Sequence, residues 1–215
     1  MSDLIVVSLP NGQFVENCYL VADRKSGRAA MIDPGEEPGL FLSELDRHGW
    51  QLEAVWLTHA HVDHIIGVQA VKAATGVPVL LHPADRPLYD ALPRQGEWMG
   101  LRIDAPPPPD AALADGQRLQ LGSHTFLVRH TPGHSPGSVS FLTNGHVFGG
   151  DVLFSGSIGR TDLPGGDYAT LLNSIQAVFL SLPDATVVHS GHGPDTTVGV
   201  ERETNPFLAG TLRLG

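Results

Sequence analysis

Cysteine is all but missing from this 215-residue sequence: Cys18 stands alone. No intrachain disulfide can staple the fold, and a reducing, cytoplasmic compartment is the expectation. A single thiol far in sequence from every motif reads as an ordinary packed side chain. Basic residues are also scarce, 13 Lys and Arg against 23 Asp and Glu for a formal charge of −10. That balance is the reverse of the basic face a nucleic-acid binder carries, so no nucleic-acid partner is expected. No apolar run approaches the ~20 residues of a membrane span. The first basic residue is Arg24, so a secretory leader is not expected either. No internal repeat of about 20–50 residues is present.

What remains is ordinary globular composition, with 41% apolar and 17% charged residues, in a length that suits one domain. Strand signals open the chain at "LIVVS" (4–8), "CYLVAD" (18–23) and "AAMID" (29–33). Pro38 and Gly49 bracket a helix as first-turn residue and stop. "AVWLTH" (54–59) reads as a buried strand, a helix is expected from near Asp63 to Gly76, and "VPVLLHP" (77–83) is another strand. Residues 84–103 are ambiguous. "DAPPPPDAALADG" (104–116) reads as a stiff Pro-rich connection between two halves of a single domain spanning 1–215. Beyond it come strands at "QRLQL", "HTFLVRH", "SVSFLT", "HVFGG" and "ATVVHS". Leu171, Leu172, Ile175, Val178, Phe179 and Leu182 form one apolar helical stripe with Asp167 as N-cap, and "ERETNPFL" is a short terminal helix. Strands followed by a helix on each side of the connection suit two sheets packed face to face with helices outside.

The chemistry is concentrated in "THAHVDH" (58–64). His59 and His61 are two residues apart just past a strand, and in extended chain such residues point the same way. Asp63 and His64 follow as the chain turns into a helix. Three histidines and an aspartate in six positions point to metal, since imidazole and carboxylate suit zinc and iron. Further candidates lie where later strands run out: His134 in "HTPGHSPGS", Asp151 after "FGG", and His192 in "HSGHGP". Glycines beside such donors let backbone approach a metal without a Cβ clash. Seven donors exceed one tetrahedral ion. They suit two metals with about three protein ligands each, sharing a carboxylate and a water, although spacing does not assign donors to metals. His48, His82, His124 and His146 read as helix-end or strand-edge residues. His130 and His189 lie beside the donor loops and are candidates for supporting contacts.

An HxHxDH motif followed by a lone His, a lone Asp and a lone His resembles the metallo-β-lactamase superfamily, and the resemblance runs from "NCYLV" (17–21) to "NPFL" (205–208). It implies an α/β fold, an αββα sandwich of two mixed β-sheets with helices on the outer faces. It also implies that His59, His61 and His134 hold one metal, that Asp63, His64 and His192 hold a second, and that Asp151 bridges them. The stretches "GDVLFSGSIGRTDLPGGD" (150–167) and "GHGPDTTVGVERETNPFL" (191–208) are similar to small glyoxalase II-like hydrolases of the hydroxyacylglutathione hydrolase group. "IDPG" (32–35) resembles a family segment whose aspartate orients a ligand histidine; Asp33 takes that role or is simply a strand-ending turn. Arg160, after the bridging aspartate, occupies the place of a basic residue that touches glutathione in related hydrolases, or pairs with Asp162.

The expected reaction is attack of metal-bound hydroxide on a glutathione thioester of the S-lactoylglutathione kind, with Asp63 and Asp151 as the carboxylates of the catalytic centre. Two divalent ions are the cofactors, zinc first and iron or manganese as alternatives. The partner is a small-molecule thioester. The longer glyoxalase II enzymes carry a helical C-terminal extension that grips glutathione. This sequence ends at Gly215 without it, so a pocket accepting other thioesters is also expected. The alternatives are a mononuclear iron persulfide dioxygenase, which shares the "GRTD" and "ER..NP" patterns, or another hydrolase of the same fold. The oligomeric state is open.

Overall fold

The computed structural model describes residues 3–208. The first sheet holds β1 (Leu4–Asn11), β2 (Glu16–Asp23), β3 (Arg28–Ile32), β4 (Gln51–Trp56), β5 (Val79–Leu81) and β6 (Ala111–Ala112), side by side in that order. β1 to β3 pair antiparallel and β3 to β6 parallel. The second sheet is built from β7 (Arg118–Leu121), β8 (His124–His130), β9 (Val139–Thr143) and β10 (His146–Gly150). A small hairpin, β11 (Leu153–Phe154) with β12 (Ser157–Ile158), stands apart. β13 (Val187–Ser190) and β14 (Thr196–Thr197) complete the second sheet, whose order is β14-β13-β10-β9-β8-β7 with only β10 and β13 parallel.

Side-chain alternation explains the layers. In β2, Tyr19 and Val21 face the second sheet, with Ala30, Ile32, Ala54 and Trp56 beside them; Phe126, Val128, Phe141 and Phe148 answer from the other side. The intervening Cys18, Leu20 and Ala22 face outward with Met31, Val55 and Leu57. These pack under α1 (Pro38–His48), α2 (Val62–Ile65) and α3 (Val68–Thr75), which contribute Phe41, Leu45, Ile65, Val68 and Val71. Such strands are buried on both faces and read as continuous apolar runs. α4 (Arg86–Asp90) and α5 (Leu92–Trp98) follow β5. On the far side, Val147 and Val188 of the second sheet pack against Leu171, Ile175 and Phe179, from α6 (Tyr168–Ser174) and the π-helical turn that continues it over Ile175–Phe179. α7 (Val198–Thr204) closes the described chain. The result is the αββα sandwich.

Several local expectations hold. The helix starting at Pro38 stops at Gly49 in the left-handed conformation, and the Asp167 carboxylate accepts from the Thr170 N–H at 2.7 Å as N-cap. Others need correction. The single helix expected from Asp63 to Gly76 is broken into α2 and α3 at Gly67, whose N–H donates to Pro34 O at 3.0 Å and where a Cβ would collide with Gly35 O. The strand expected over 54–59 ends at Trp56. The Pro-rich connection is not purely a link: Ala111–Ala112 pairs with β5 as the sheet edge, with Asp110 N–H donating to Val79 O. The ambiguous stretch 84–103 carries α4 and α5. The terminal helix begins at Val198 and stops before Asn205, because the residue preceding Pro206 disfavours helix.

Candidate metal centre

All seven predicted donors meet at one edge of the sandwich, each beyond the C-terminal end of a strand. His59, His61, Asp63 and His64 follow β4, His134 follows β8, Asp151 follows β10 and His192 follows β13. Three groups of donor atoms lie within 4.8 Å of one another: His59, His61 and His134; Asp63, His64 and His192; and, behind them, Asp33 with His59 and His64. In the first, His134 Nε2 lies 3.2 Å from His59 Nε2 and 2.8 Å from His61 Nδ1. In the second, Asp63 Oδ2 lies 3.2 Å from His192 Nε2 and 3.7 Å from His64 Nε2. Asp151 sits between the clusters. Its Oδ2 is 3.5 Å from His134 Nε2 and 3.6 Å from His192 Nε2, and its Oδ1 is 3.4 Å from His64 Nε2.

The outer contacts show which ring nitrogen each histidine presents. His64 Nδ1–H donates to Asp33 Oδ2 at 3.0 Å, His134 Nδ1–H to Arg160 O at 2.8 Å, and His192 Nδ1–H to Phe14 O at 3.1 Å. The Thr58 hydroxyl donates to Asp33 Oδ2 and so accepts from His59 Nδ1–H at 3.0 Å. Four rings thus aim Nε2 lone pairs inward; His61 alone offers Nδ1. Buried His64 Nε2 and Asp151 Oδ1 have no hydrogen-bond partner. Lone pairs converging from nitrogen and carboxylate oxygen, with the far-side N–H groups of His59, His64, His134 and His192 anchored and only His61 Nε2 lacking a partner, fit a pair of divalent cations.

Electrostatics divides the two clusters. Burial pulls His59 well below the ordinary imidazole range, and His64 and His134 press it further down. Burial and His134 bring His61 to about 3. Burial also opposes charge on His64 but is outweighed by Asp151 and Asp63, which hold it well above that range. His192 is likewise raised, by the Asp63 bond and Asp151 against burial. Burial would raise both aspartates, yet His64 and His192 hold Asp63 down, and His64 and His134 hold Asp151 well down.

Asp33 lies against the His64 ring nitrogen that faces away from the centre. It is 2% exposed and left-handed at φ 52°, and its other oxygen accepts the Thr58 N–H at 2.7 Å. Arg160 lines the cavity over the centre but is forked onto Asp162, with Nε–Oδ1 2.7 Å and Nη2–Oδ2 2.8 Å. His130 braces the His134 loop by donating to Pro136 O at 2.9 Å. His189 stays away from the donors, stacked on Phe148 and His146.

Some supports escape sequence reading. Buried Asp85 accepts from Ala60 N–H (2.9 Å), Ser135 Oγ–H (2.7 Å) and Gly137 N–H, tying the first donor loop to the His134 loop. Gln95 accepts from Val62 N–H and donates to Ala60 O, each at 3.0 Å. Asn17 Nδ2–H and the Tyr19 hydroxyl donate to Ser190 O, fixing the His192 loop. Burial pushes the Glu16 carboxyl well up; its Oε1 lies 3.6 Å from His64 Nδ1. No motif spacing flags these residues. Several glycines mark the close approaches: a Cβ at Gly191 would collide with Asp151 Oδ1, one at Gly137 with Asp85, and one at Gly35 with Glu16 Oε2.

A cavity of about 810 Å³ opens over both clusters. His61, Asp63, His134, Asp151 and His192 form its floor, with Phe14, Leu88, Trp98, Met99, Phe154, Ile158 and Leu163 among its apolar walls.

The family model of the metallo-beta-lactamase superfamily matches residues 11–192, which include all seven donors. The hydroxyacylglutathione hydrolase GloC of Haemophilus influenzae (strain Rd) is 39% identical over 204 residues, covering 93% of this chain and 96% of GloC. The crystal structure of the BLEG-1 B3 metallo-beta-lactamase superposes with a TM-score of 0.89 at 42% identity, covering 95% of this chain and 99% of that one. TTHA1623, solved in a di-iron-bound form, gives 0.87 at 45% identity, covering 94% of this chain and 100% of that one.

Proposed function

The chain belongs to the metallo-beta-lactamase superfamily, and from that premise we propose that it is a dinuclear metal-dependent thioester hydrolase whose favoured substrate is a glutathione thioester of the S-lactoylglutathione kind. The observation carrying this reading is the pair of donor clusters joined at Asp151 beneath a cavity wide enough for a peptide-sized ligand. His59, His61 and His134 would hold one cation, Asp63, His64 and His192 the other, and Asp151 both. Zinc suits the donors; iron and manganese do as well. When bound, such a pair acidifies a water toward a pKa of about 7 and polarises a carbonyl.

The protein's own residues restrict the leaving group. Outside the seven donors, the only titratable side chains among the described residues lining the cavity are Arg94 and Arg160. Neither gives up a proton near neutrality. An amide nitrogen needs a proton to depart, whereas a thiolate, with a conjugate-acid pKa of roughly 8.5, leaves without one. The apolar walls give the acyl group a surface to pack on, and Asp33, Thr58 and Asp85 hold the donors so that little reorganises during attack. The identity to GloC along nearly the whole chain supports the glutathione carrier.

The test is elemental analysis of the purified protein followed by S-lactoylglutathione hydrolysis with and without chelator. Two metals per chain and chelator-sensitive turnover are expected. Asp151→Ala should lower kcat at least about 100-fold and weaken both cations. A single iron with oxygen uptake on glutathione persulfide would establish the dioxygenase alternative instead, and wild-type turnover in Asp151→Ala would refute the bridging role.

A further inference from the structure

The cavity contains two arginines with different commitments. Arg160 is engaged with both oxygens of Asp162. Arg94 has no hydrogen bond or ion pair to any described residue; its guanidinium lies over the Trp98 ring, 5.4 Å from the centroid. In a protein of net charge −10, a cation on the cavity wall without a carboxylate partner is conspicuous. The ring lies beneath the guanidinium carbon, and the guanidinium N–H donors have no acceptor among the described residues.

The position is also fixed. Arg94 stands on α5, whose opposite face is clamped by buried Leu92, Gln95 and Gly96. Gln95 is bonded to Val62 N–H and Ala60 O, the backbone carrying the first donors. The distance from the Arg94 backbone to the donor floor is therefore set by the fold, whereas Trp98 and Met99 beside it are exposed. Arg94 lines the same cavity as His61, Asp63, His134, Asp151 and His192, so a ligand reacting at the floor shares its space with this guanidinium.

We infer that Arg94, backed by Trp98, is the anion-recognition element of the cavity and binds the charged end of the thiol carrier, a carboxylate or a phosphate. This rests on the thioester reading above and names the part of the substrate it leaves unassigned. Arg94→Gln and Trp98→Ala are assayed with one acyl group on three carriers: glutathione with its carboxylates, coenzyme A with its phosphates, and neutral N-acetylcysteamine. Arg94→Gln should raise KM for an anionic carrier about 10- to 100-fold more than for the neutral one, with kcat changed less than about threefold. Trp98→Ala should give a smaller rise, and Arg94→Lys a partial rescue. A selective loss confined to glutathione marks the anion as carboxylate, and one confined to coenzyme A marks it as phosphate.

Binding is measured in parallel with non-hydrolysable S-methylglutathione and with coenzyme A by calorimetry, which needs no turnover. If the wild type hydrolyses none of the three thioesters, the thioester reading fails while a 10-fold weaker calorimetric affinity in Arg94→Gln still supports anion recognition. Equal KM changes on all three carriers, or unchanged affinity for both anionic ligands, overturns the inference.

Discussion

Replacing Asp33 with asparagine separates the orientation of one donor from the rest of the fold. The position is left-handed, φ 52°, and asparagine tolerates that region nearly as well as aspartate, so backbone strain is not introduced. An asparagine oxygen can still accept the Thr58 N–H that Asp33 Oδ1 accepts now. The amide NH2 then replaces Oδ2, which accepts from both His64 Nδ1–H and the Thr58 hydroxyl. A donor facing His64 Nδ1 favours the opposite tautomer, with its proton on Nε2, the atom 3.4 Å from Asp151 Oδ1 and 3.7 Å from Asp63 Oδ2. That ring can no longer serve as a ligand there. Loss of such an orienting partner costs about 10- to 100-fold in metal affinity, or roughly 1.4–2.7 kcal/mol at 1.36 kcal/mol per decade. The loss should fall on the cluster containing His64. His59 feels it only through Thr58, so the first cluster should weaken by less than about threefold. Competition with a chromophoric zinc chelator, paired with elemental analysis, reads both affinities. An Asp33→Asn protein that binds two ions with wild-type affinity, or loses both equally, would refute the reasoning.

Proton release on metal loading should differ between the clusters. His59 and His61 lie below the ordinary 6.5 and are neutral at pH 7, so a cation entering there displaces no proton from them; His64 and His192 lie above it, so entry at the second cluster expels protons. Affinity for the second ion should therefore climb more steeply with pH through the neutral range. Calorimetry in buffers of different ionisation enthalpy checks this, and equal proton counts for both steps would contradict it. Asp85→Ala should destabilise the protein by about 3 kcal/mol, because three buried donors lose one charged acceptor. Urea denaturation with unchanged m-value tests that, and a loss below about 1 kcal/mol would mean the loops are held by other contacts.

The donors were legible because each is announced locally: His59 and His61 by their spacing after an apolar strand, His134, Asp151 and His192 by glycine-rich strand ends. The geometry adds the second half of the site. Asp33 works across 25 residues to reach Thr58, and Asp85 across 50 to reach Ser135. Such partnerships leave no periodicity in the chain. The same limit hid β6, whose two alanines have little strand character of their own and pair because β5 offers an open edge. The break at Gly67 also depends on a distant neighbour, Pro34. Layers were readable and seams were not, since alternation is local and docking is not.

Each cluster draws two of its members from the half of the chain before the Pro-rich connection and one from the half after it: His59 and His61 with His134, Asp63 and His64 with His192. Neither half alone holds all three members of either of these clusters. A coloured probe ion such as cobalt(II) would thus develop its low-coordinate absorption only after the sheets have come together. Its colour would serve as a stopwatch for the final docking event in refolding, separate from the growth of either sheet.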